Sequence, residues 1–358
     1  MIPHNMPKQP RRIHSVELLR EPKLLQSQFG TFEDHTIEPI NTDGFSGAEF
    51  TRIKLIHSGG RETNLILKEV NLKEDWFSFR TSDTLGREAA ILNVPELNSI
   101  FEIFYLPYHM IGTTSTHIGL LMEDVSGGLF PSERITLDQS DQDVMLDKLA
   151  ELHAGYWESP IIESLPWLHQ MEDFIYIMGP QDHPDYTGNW AKSLPQMVKE
   201  SWEMAMALLP NHLKELFLSP AGDIIRQWKD LPRTLVHGDP KIANFAKGKD
   251  GRLCLLDWTF AGHAPCTVDI GWFLAVNASR LAESKEAILS KYRSMLEAHL
   301  GYTLNEELWQ QLEQAGILTG AFMLLWSKAR GVKGGREGAE KEWEWWINRL
   351  EVWSKSGS

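Results

Sequence analysis

The sequence predicts an α+β chain: an N-terminal extension over residues 1–35, a small β-rich part over 36–124, and a larger, mostly helical part over 125–358. Three observations carry this. Alternating, β-former-rich segments dominate from Thr36 to Asp124, as half-buried strands require. Beyond Asp124 the apolar residues recur at helical spacing. No Rossmann strand–helix–strand unit is found, which argues against a dinucleotide-binding sheet.

Taken in order, residues 1–35 are rich in Pro and charge and read as a loose arm with one short helix in SVELLREPKLLQ. GAEFTRIKLIH and NLILKEV flank the Gly-Gly turn of HSGGRE, so residues 46–70 read as a β-hairpin. SDTLGREAAILN reads as a helix capped by Ser82 or Asp83. IFEIFYLPYHMIGT and HIGLLMEDV read as two further strands. DQSDQDVMLDKLAELHAGYW then has helical spacing through Val144, Leu149 and Leu152, and residues 195–230 hold two or three more helices. LVHGDPKIANFAKGKDGRLCLLDWTFAG breaks that pattern and reads as strand, loop, short strand, Asp-Gly turn, short strand, loop. Helices resume at VDIGWFLAVNAS, and the Gly-rich RGVKGGREGAE splits the last two.

Composition narrows the function classes. Of 358 residues, 42% are hydrophobic and 23% charged, the profile of a chain with a real core. Lys and Arg total 35 against 49 Asp and Glu, and a net charge of −14 weighs against a nucleic-acid partner. Fourteen Trp foretell a well-packed core, an aromatic-lined pocket, or both. Cys254 and Cys266 form neither a metal framework nor a disulfide scaffold, which points to a reducing compartment. MIPHNMPKQPRR lacks the apolar stretch of a signal peptide, and Ala315 to Trp326 is too short to cross a bilayer. The expectation is a soluble, cytoplasmic protein with no membrane partner; its oligomeric state stays open.

The chemistry is concentrated in His237-Gly238-Asp239-Pro240-Lys241-Ile242-Ala243-Asn244 and Leu255-Leu256-Asp257-Trp258. Asp239 and Asn244, five apart in a loop between strands, can face one small volume. Asp257, eighteen residues after Asp239 at a strand end, folds back beside Asn244 across the KGKDGR turn. Such hard oxygen ligands suit Mg²⁺, with Asn244 and Asp257 as its ligands and further positions left for phosphate oxygens. Asp239 remains to take a proton from an attacking hydroxyl, the division of labour that phosphoryl transfer needs.

HGDxxxxN followed by Asp-Trp resembles the aminoglycoside phosphotransferase and choline kinase family, small-molecule relatives of protein kinases, over roughly residues 40–350. The resemblance implies a bilobal protein-kinase-like fold, with ATP between a β-rich lobe and a helical lobe. It implies that Lys68, mid-strand in LILKEV and opposite Leu65 and Leu67, contacts the α and β phosphates, and that Glu88 holds it. Asp43-Gly44-Phe45-Ser46-Gly47-Ala48 opens the hairpin, and backbone amides around Gly44, Ser46 and Gly47 could cover phosphates. By resemblance LLMEDV is the hinge, with the backbone of Glu123 and Val125 at the nucleobase edge and Met122 at its inner wall. Lys241 is expected to touch the γ-phosphate or to steady Asp239, the alternative being a solvated loop lysine. Asp269 resembles the Asp that braces the catalytic loop, though a helix-start Asp is also explained by capping. His237 and His153 read as packing residues.

The implied activity is transfer of the γ-phosphoryl group of ATP to a hydroxyl of an aminoglycoside-, choline- or sugar-like small molecule. Trp258, Trp272, Trp326, Trp343, Trp345 and Trp346, with Glu340, Glu342 and Glu344, are candidates to line an acceptor site suited to a cation or a sugar. Arg330, Lys333 and Arg336 could instead rim a site for an anionic acceptor. Two alternatives stand beside this reading. One is an ATP-binding pseudokinase scaffold, to which the intact Lys68, Asp239, Asn244 and Asp257 speak against. The other is a protein kinase, disfavoured because Asp257 is followed by Trp258 and no APE-bounded activation segment follows.

Overall fold

The computed structural model describes residues 9–41, 47–131, 135–181 and 194–356. The chain falls into two compact units. One comprises Met1–Leu129 and Ala246–Leu256; the other comprises Phe130–Gly188, Leu194–Phe245 and Asp257–Ser358.

The first unit is built on a six-stranded sheet. In chain order its elements are β1 (Arg11–Ile13), α1 (Pro22–Phe29), β2 (Asp34–Ile40), β3 (Glu49–Ile56), β4 (Glu62–Asn71), α2 (Trp76–Arg80), α3 (Arg87–Ile91), α4 (Ile100–Ile103), β5 (Tyr108–Thr113) and β6 (His117–Glu123). The strand order is β1-β5-β6-β4-β3-β2, with β1 parallel to β5 and the other pairs antiparallel. β3 and β4 form the expected hairpin, turning through Gly59 and Gly60 at φ 77° and 78°. β4 alternates faces: Leu65 and Leu67 enter a core cluster with Leu19, Leu25, Ile53, Leu55 and Met110, so Lys68 points to the other side.

Three local expectations change here. The segment read as a loose arm supplies β1, a 3-10 turn at Glu17–Arg20 and α1, and it fully buries Leu19 and Leu25. Burying two leucines is worth about 3–6 kcal/mol before entropy, enough to dock a short segment. Gly112 and Gly119, opposite each other on β5 and β6, make the room. A Cβ at Gly112 would lie 2.6 Å from the Ser15 carbonyl oxygen, and one at Gly119 would lie 2.8 Å from Leu19 Cδ1. Second, IFEIF is not strand: Ile100–Ile103 is a helical turn that buries Ile100, Phe101 and Ile103. Third, the helix after Ser82 begins only at Arg87. The Asp83 carboxylate accepts from the amides of Leu85, Gly86 and Arg87 and so holds the turn ahead of it. β2 was not anticipated; it carries mostly exposed residues and Pro39 at the sheet edge, as edges that avoid pairing do.

The remaining elements are α5 (Gln139–Gly155), α6 (Pro160–Glu163), β7 (His169–Gln170), α7 (Met171–Tyr176), α8 (Leu194–Leu208), α9 (Asn211–Leu218), α10 (Ala221–Ile225), β8 (Thr234–Val236), β9 (Phe245–Lys247), β10 (Leu253–Leu255), β11 (Gly262–Ala264), α11 (Thr267–Val276), α12 (Lys285–Leu300), α13 (Glu306–Lys333) and α14 (Ala339–Ser356). β9 and β10 pair with each other, and residues 246–256 group with the sheet-bearing unit. β11 lies between β7, to which it is parallel, and β8, to which it is antiparallel. On α5 the buried face is Met145, Leu146, Leu149, Ala150 and Leu152, while Val144 is 48% exposed.

α11 and α13 form the centre of the helical unit. They pack at backbone contact because glycines face each other. A Cβ on Gly271 would sit 1.8 Å from the Gly316 carbonyl oxygen, and one on Gly316 would sit 2.3 Å from that of Thr267. Among the described residues no helix is long and apolar enough to cross a membrane.

Candidate active site

In the helical unit the fully buried β8 delivers the chain into the His237–Asn244 loop. Gly238 has φ 83°, and a Cβ there would lie 2.1 Å from the Phe260 carbonyl oxygen, so glycine is required on both counts. His237 packs edge-on against Trp258 at 4.6 Å, and its Nδ1 accepts the Asp239 N–H at 3.2 Å. The ring is therefore occupied in shaping the loop.

Asp239 is buried, and both of its carboxylate oxygens accept hydrogen bonds. Its Oδ1 accepts the Trp272 indole N–H at 2.7 Å. Its Oδ2 accepts Lys241 Nζ at 2.6 Å and Asn244 Nδ2 at 3.1 Å. Asn244 Nδ2 also donates to the Asp239 carbonyl at 2.9 Å, which leaves the amide oxygen as the unused polar atom of that side chain. Asp257 follows β10 in the left-handed region at φ 64°, a conformation Asp tolerates better than most residues. Its Oδ1 accepts the Thr259 hydroxyl at 2.8 Å, and its Oδ2 lies 4.0 Å from Lys241 Nζ. Lys241 thus bonds Asp239 and lies beside Asp257, with its side chain 35% exposed.

A hard cation would meet here the Asp257 carboxylate, which also accepts Thr259 and lies beside Lys241, and the Asn244 amide oxygen. Among the described residues no three His, Cys, Asp or Glu side chains converge as a metal site. A cation that takes few protein ligands and keeps positions for phosphate and water oxygens fits that set, and Mg²⁺ behaves so.

The loop is held from behind by α11. Asp269, with no solvent exposure, accepts the amides of His237 at 2.8 Å and Gly238 at 2.7 Å. It also accepts His153 Nε2–H at 3.0 Å. The Tyr292 hydroxyl bonds His153 Nδ1 at 2.7 Å, and burial first, then nearby Cys266 and Asp269, pushes that hydroxyl well above its ordinary pKa, so it stays a donor. Asn277 accepts the Ile242 amide at 2.9 Å and donates to the Pro240 carbonyl at 3.3 Å. Asp269 is thus a brace and not a cap. His153, read as packing, is a link in the same chain of bonds.

In the sheet-bearing unit, Lys68 Nζ donates to Glu88 Oε2 at 2.6 Å, both side chains being buried. Tyr108 donates from its hydroxyl to Glu88 Oε1 at 2.7 Å. Gly44 and Ser46 lie outside the described residues. The Gly47 amide donates to Asp75 Oδ1 at 3.1 Å, while Asp75 Oδ2 caps α2 through the Ser78 amide. That amide can reach a phosphate only by releasing Asp75. Met122 is buried. The Glu123 amide donates to the Pro107 carbonyl at 2.9 Å, and the Glu123 carboxylate takes the Tyr105 hydroxyl and lies 2.6 Å from Lys249 Nζ. The Val125 carbonyl accepts the Gly128 amide at 2.9 Å.

The model of the phosphotransferase enzyme family, APH, matches residues 46–302 of the sequence. The chain belongs to the APH family. Its fold class is the α+β, bilobal protein-kinase-like one expected from the sequence. Among solved structures, the choline kinase LicA of Streptococcus pneumoniae is similar to this APH chain at 13% identity and TM-score 0.46, covering 92% of this chain and 98% of its own. A choline kinase of Cryptosporidium parvum matches at 9% identity and TM-score 0.49, covering 95% and 97%. An aminoglycoside phosphotransferase of Streptomyces rimosus matches at 16% identity and TM-score 0.42, covering 86% and 99%. No curated protein matches by sequence.

The acceptor candidates of this APH chain divide. Trp258, Trp272, Trp326 and Trp346 are buried, and the Trp326 indole is tied to the Met323 carbonyl within α13. Glu340 and Glu344 are exposed. Glu342 is held by Lys285 and by Lys328, whose Nζ lies 2.9 Å from Oε1, and it accepts the Trp346 indole at 2.8 Å. Already neutralised, it is a poor counter-charge for a cationic acceptor. Sequence reasoning named Trp272 only as pocket lining and missed Asn277 and Tyr108. The signal for the first two was polar hydrogen-bonding capacity inside the apolar helix VDIGWFLAVN, where a buried donor or acceptor must find a partner.

Proposed function

We propose that the protein transfers the γ-phosphoryl group of ATP to a hydroxyl of a small molecule. The observation that carries this is the buried Asp239 carboxylate, fixed by three donors in an HGDxxxxN loop beside Asp257. Asp239 accepts the proton as the acceptor oxygen bonds to the γ-phosphorus. The bond from that phosphorus to its bridging oxygen breaks, and ADP departs with the electron pair. Lys241 and Asn244 keep the base oriented; Asn244 and Asp257 would hold Mg²⁺. When bound, the cation supplies neutralising charge to the phosphates. Lys68, aligned by Glu88, contacts the α and β phosphates. The backbone at Glu123 and Val125 meets the nucleobase beside Met122, and the loop holding Gly44, Ser46 and Gly47 covers the phosphates. In this reading residues 36–124 serve the nucleotide, residues 125–358 serve the acceptor, and residues 1–35 are an extension.

ADP release with ATP, Mg²⁺ and a panel of amino alcohols, aminoglycosides and sugars tests the reading. The Asp239→Asn variant is expected to bind nucleotide as wild type does and to lose about 10²–10⁴-fold in turnover, the usual contribution of a general base. Turnover near wild type in that variant overturns the assignment.

A further inference from the structure

Resting on the base role of Asp239, we infer that its Oδ1 is the oxygen that takes the acceptor's proton, and that Trp272 is a positioning residue beside which the acceptor hydroxyl enters. An ionised carboxylate offers about four lone-pair sites, two on each oxygen. Both sites on Oδ2 are taken, by Lys241 and Asn244. Oδ1 has one donor, the Trp272 indole, and therefore one site left. The two oxygens also face different groups. Lys241 and, through it, Asp257 lie on the Oδ2 side, where the proposed cation and phosphates belong. Oδ1 faces α11. A hydroxyl approaching Oδ1 therefore meets the indole as its neighbour, while its oxygen stays within reach of the phosphate beside Oδ2.

The indole itself is rigidly placed. Trp272 is buried, and its helix is pinned to α13 at backbone contact through the adjacent Gly271. Together with the two donors on Oδ2, this short bond from a fixed ring sets the plane of the carboxylate, so the remaining site on Oδ1 points in one direction. The proton moves from the acceptor oxygen to Oδ1 as the new oxygen–phosphorus bond forms, and the indole keeps its own proton throughout.

The test replaces Trp272 by benzothienylalanine, which swaps the indole N–H for sulfur at nearly constant shape, alongside Trp272→Phe. Expected for the isosteric analogue is an unchanged melting midpoint, unchanged ATP affinity, acceptor KM altered little, and kcat lowered about ten- to a hundredfold, the scale of a hydrogen bond to a charged group. A purely structural ring would leave kcat of the analogue at the wild-type level while Trp272→Phe lowers the melting midpoint, and that result overturns the inference. If Asp239→Asn is inactive while the analogue is fully active, only the role of Trp272 falls. If Asp239→Asn is itself active, the base reading falls with it.

Discussion

Replacing Asp269 separates a brace from a cap. A helix-start Asp acting only as a cap is worth about 1 kcal/mol. Here the carboxylate satisfies three buried donors, the amides of His237 and Gly238 and Nε2–H of His153. Each buried donor left without a partner costs about 1–3 kcal/mol, so Asp269→Ala should lose roughly 3–9 kcal/mol, a large share of the about 5–15 kcal/mol by which an ordinary protein is stable. Asp269→Asn is the informative variant. It keeps the volume and one oxygen, but its amide group must face at least one of the three donors. That change removes one or two bonds and sets donor against donor, for a loss of about 3–5 kcal/mol.

Tryptophan fluorescence during urea unfolding reads the right unit, because among the described residues only Trp76 belongs to the sheet-bearing one. Turnover should fall in parallel at temperatures where the variant is folded, since the amides released are those that shape the backbone on either side of Gly238. A loss of about 1 kcal/mol or less, with unchanged turnover, would match a cap and refute the brace.

Gly271→Ala should push α11 away from α13, because the new methyl would lie 1.8 Å from a backbone oxygen that cannot rotate aside; a drop of several degrees in melting midpoint together with lost turnover is expected, whereas Gly331→Ala, which meets the movable guanidinium of Arg336 at 3.0 Å and the Ala339 methyl at 3.3 Å, should be milder. Glu342 gives a pH signature: burial alone would raise its pKa, but Lys328 and Lys285 together hold it below the ordinary 4.5, so the unfolded chain binds the proton more readily and the stability this group confers above pH 4.5 is lost as pH falls through its folded value. Glu342→Gln should flatten that acid limb in urea titrations run at successive pH values, and an unaltered slope would show the carboxylate is not the source.

How far the sequence could be read depended on whether a residue's partner was local. Lys68 and Glu88 were legible because strand alternation turned Lys68 away from Leu65 and Leu67, and a buried ammonium needs a carboxylate. The HGDxxxxN loop was legible because Asp239 and Asn244 lie within one short turn of chain. The N-terminal arm was not, since its docking depends on Gly112 and Gly119 about a hundred residues away, and a glycine in a strand does not say what fills the space it leaves. The IFEIF stretch failed for another reason: a short apolar run buries equally well as strand or as helical turn, and tertiary packing decided for the helix.

The same distinction explains why α11 matters more than its sequence suggests. Its hydrophobic residues point in all directions, as in any helix buried on every side, so periodicity alone gives it no face. What orients it is a set of exceptions to apolarity: Asp269, Gly271 and Trp272 within the helix, and Asn277 just after it. Three of them bond to the His237–Asn244 loop or to the carboxylate it presents, and the glycine brings the helix into backbone contact with α13. A helix this apolar would pack in several rotations at similar cost, because hydrophobic burial is not directional. The polar exceptions select one rotation, since any other leaves a buried carboxylate or indole N–H unpaired. The rotation that satisfies them is also the one that fixes Asp239, so the packing of the helical unit and the aim of the proposed base are settled by the same few bonds.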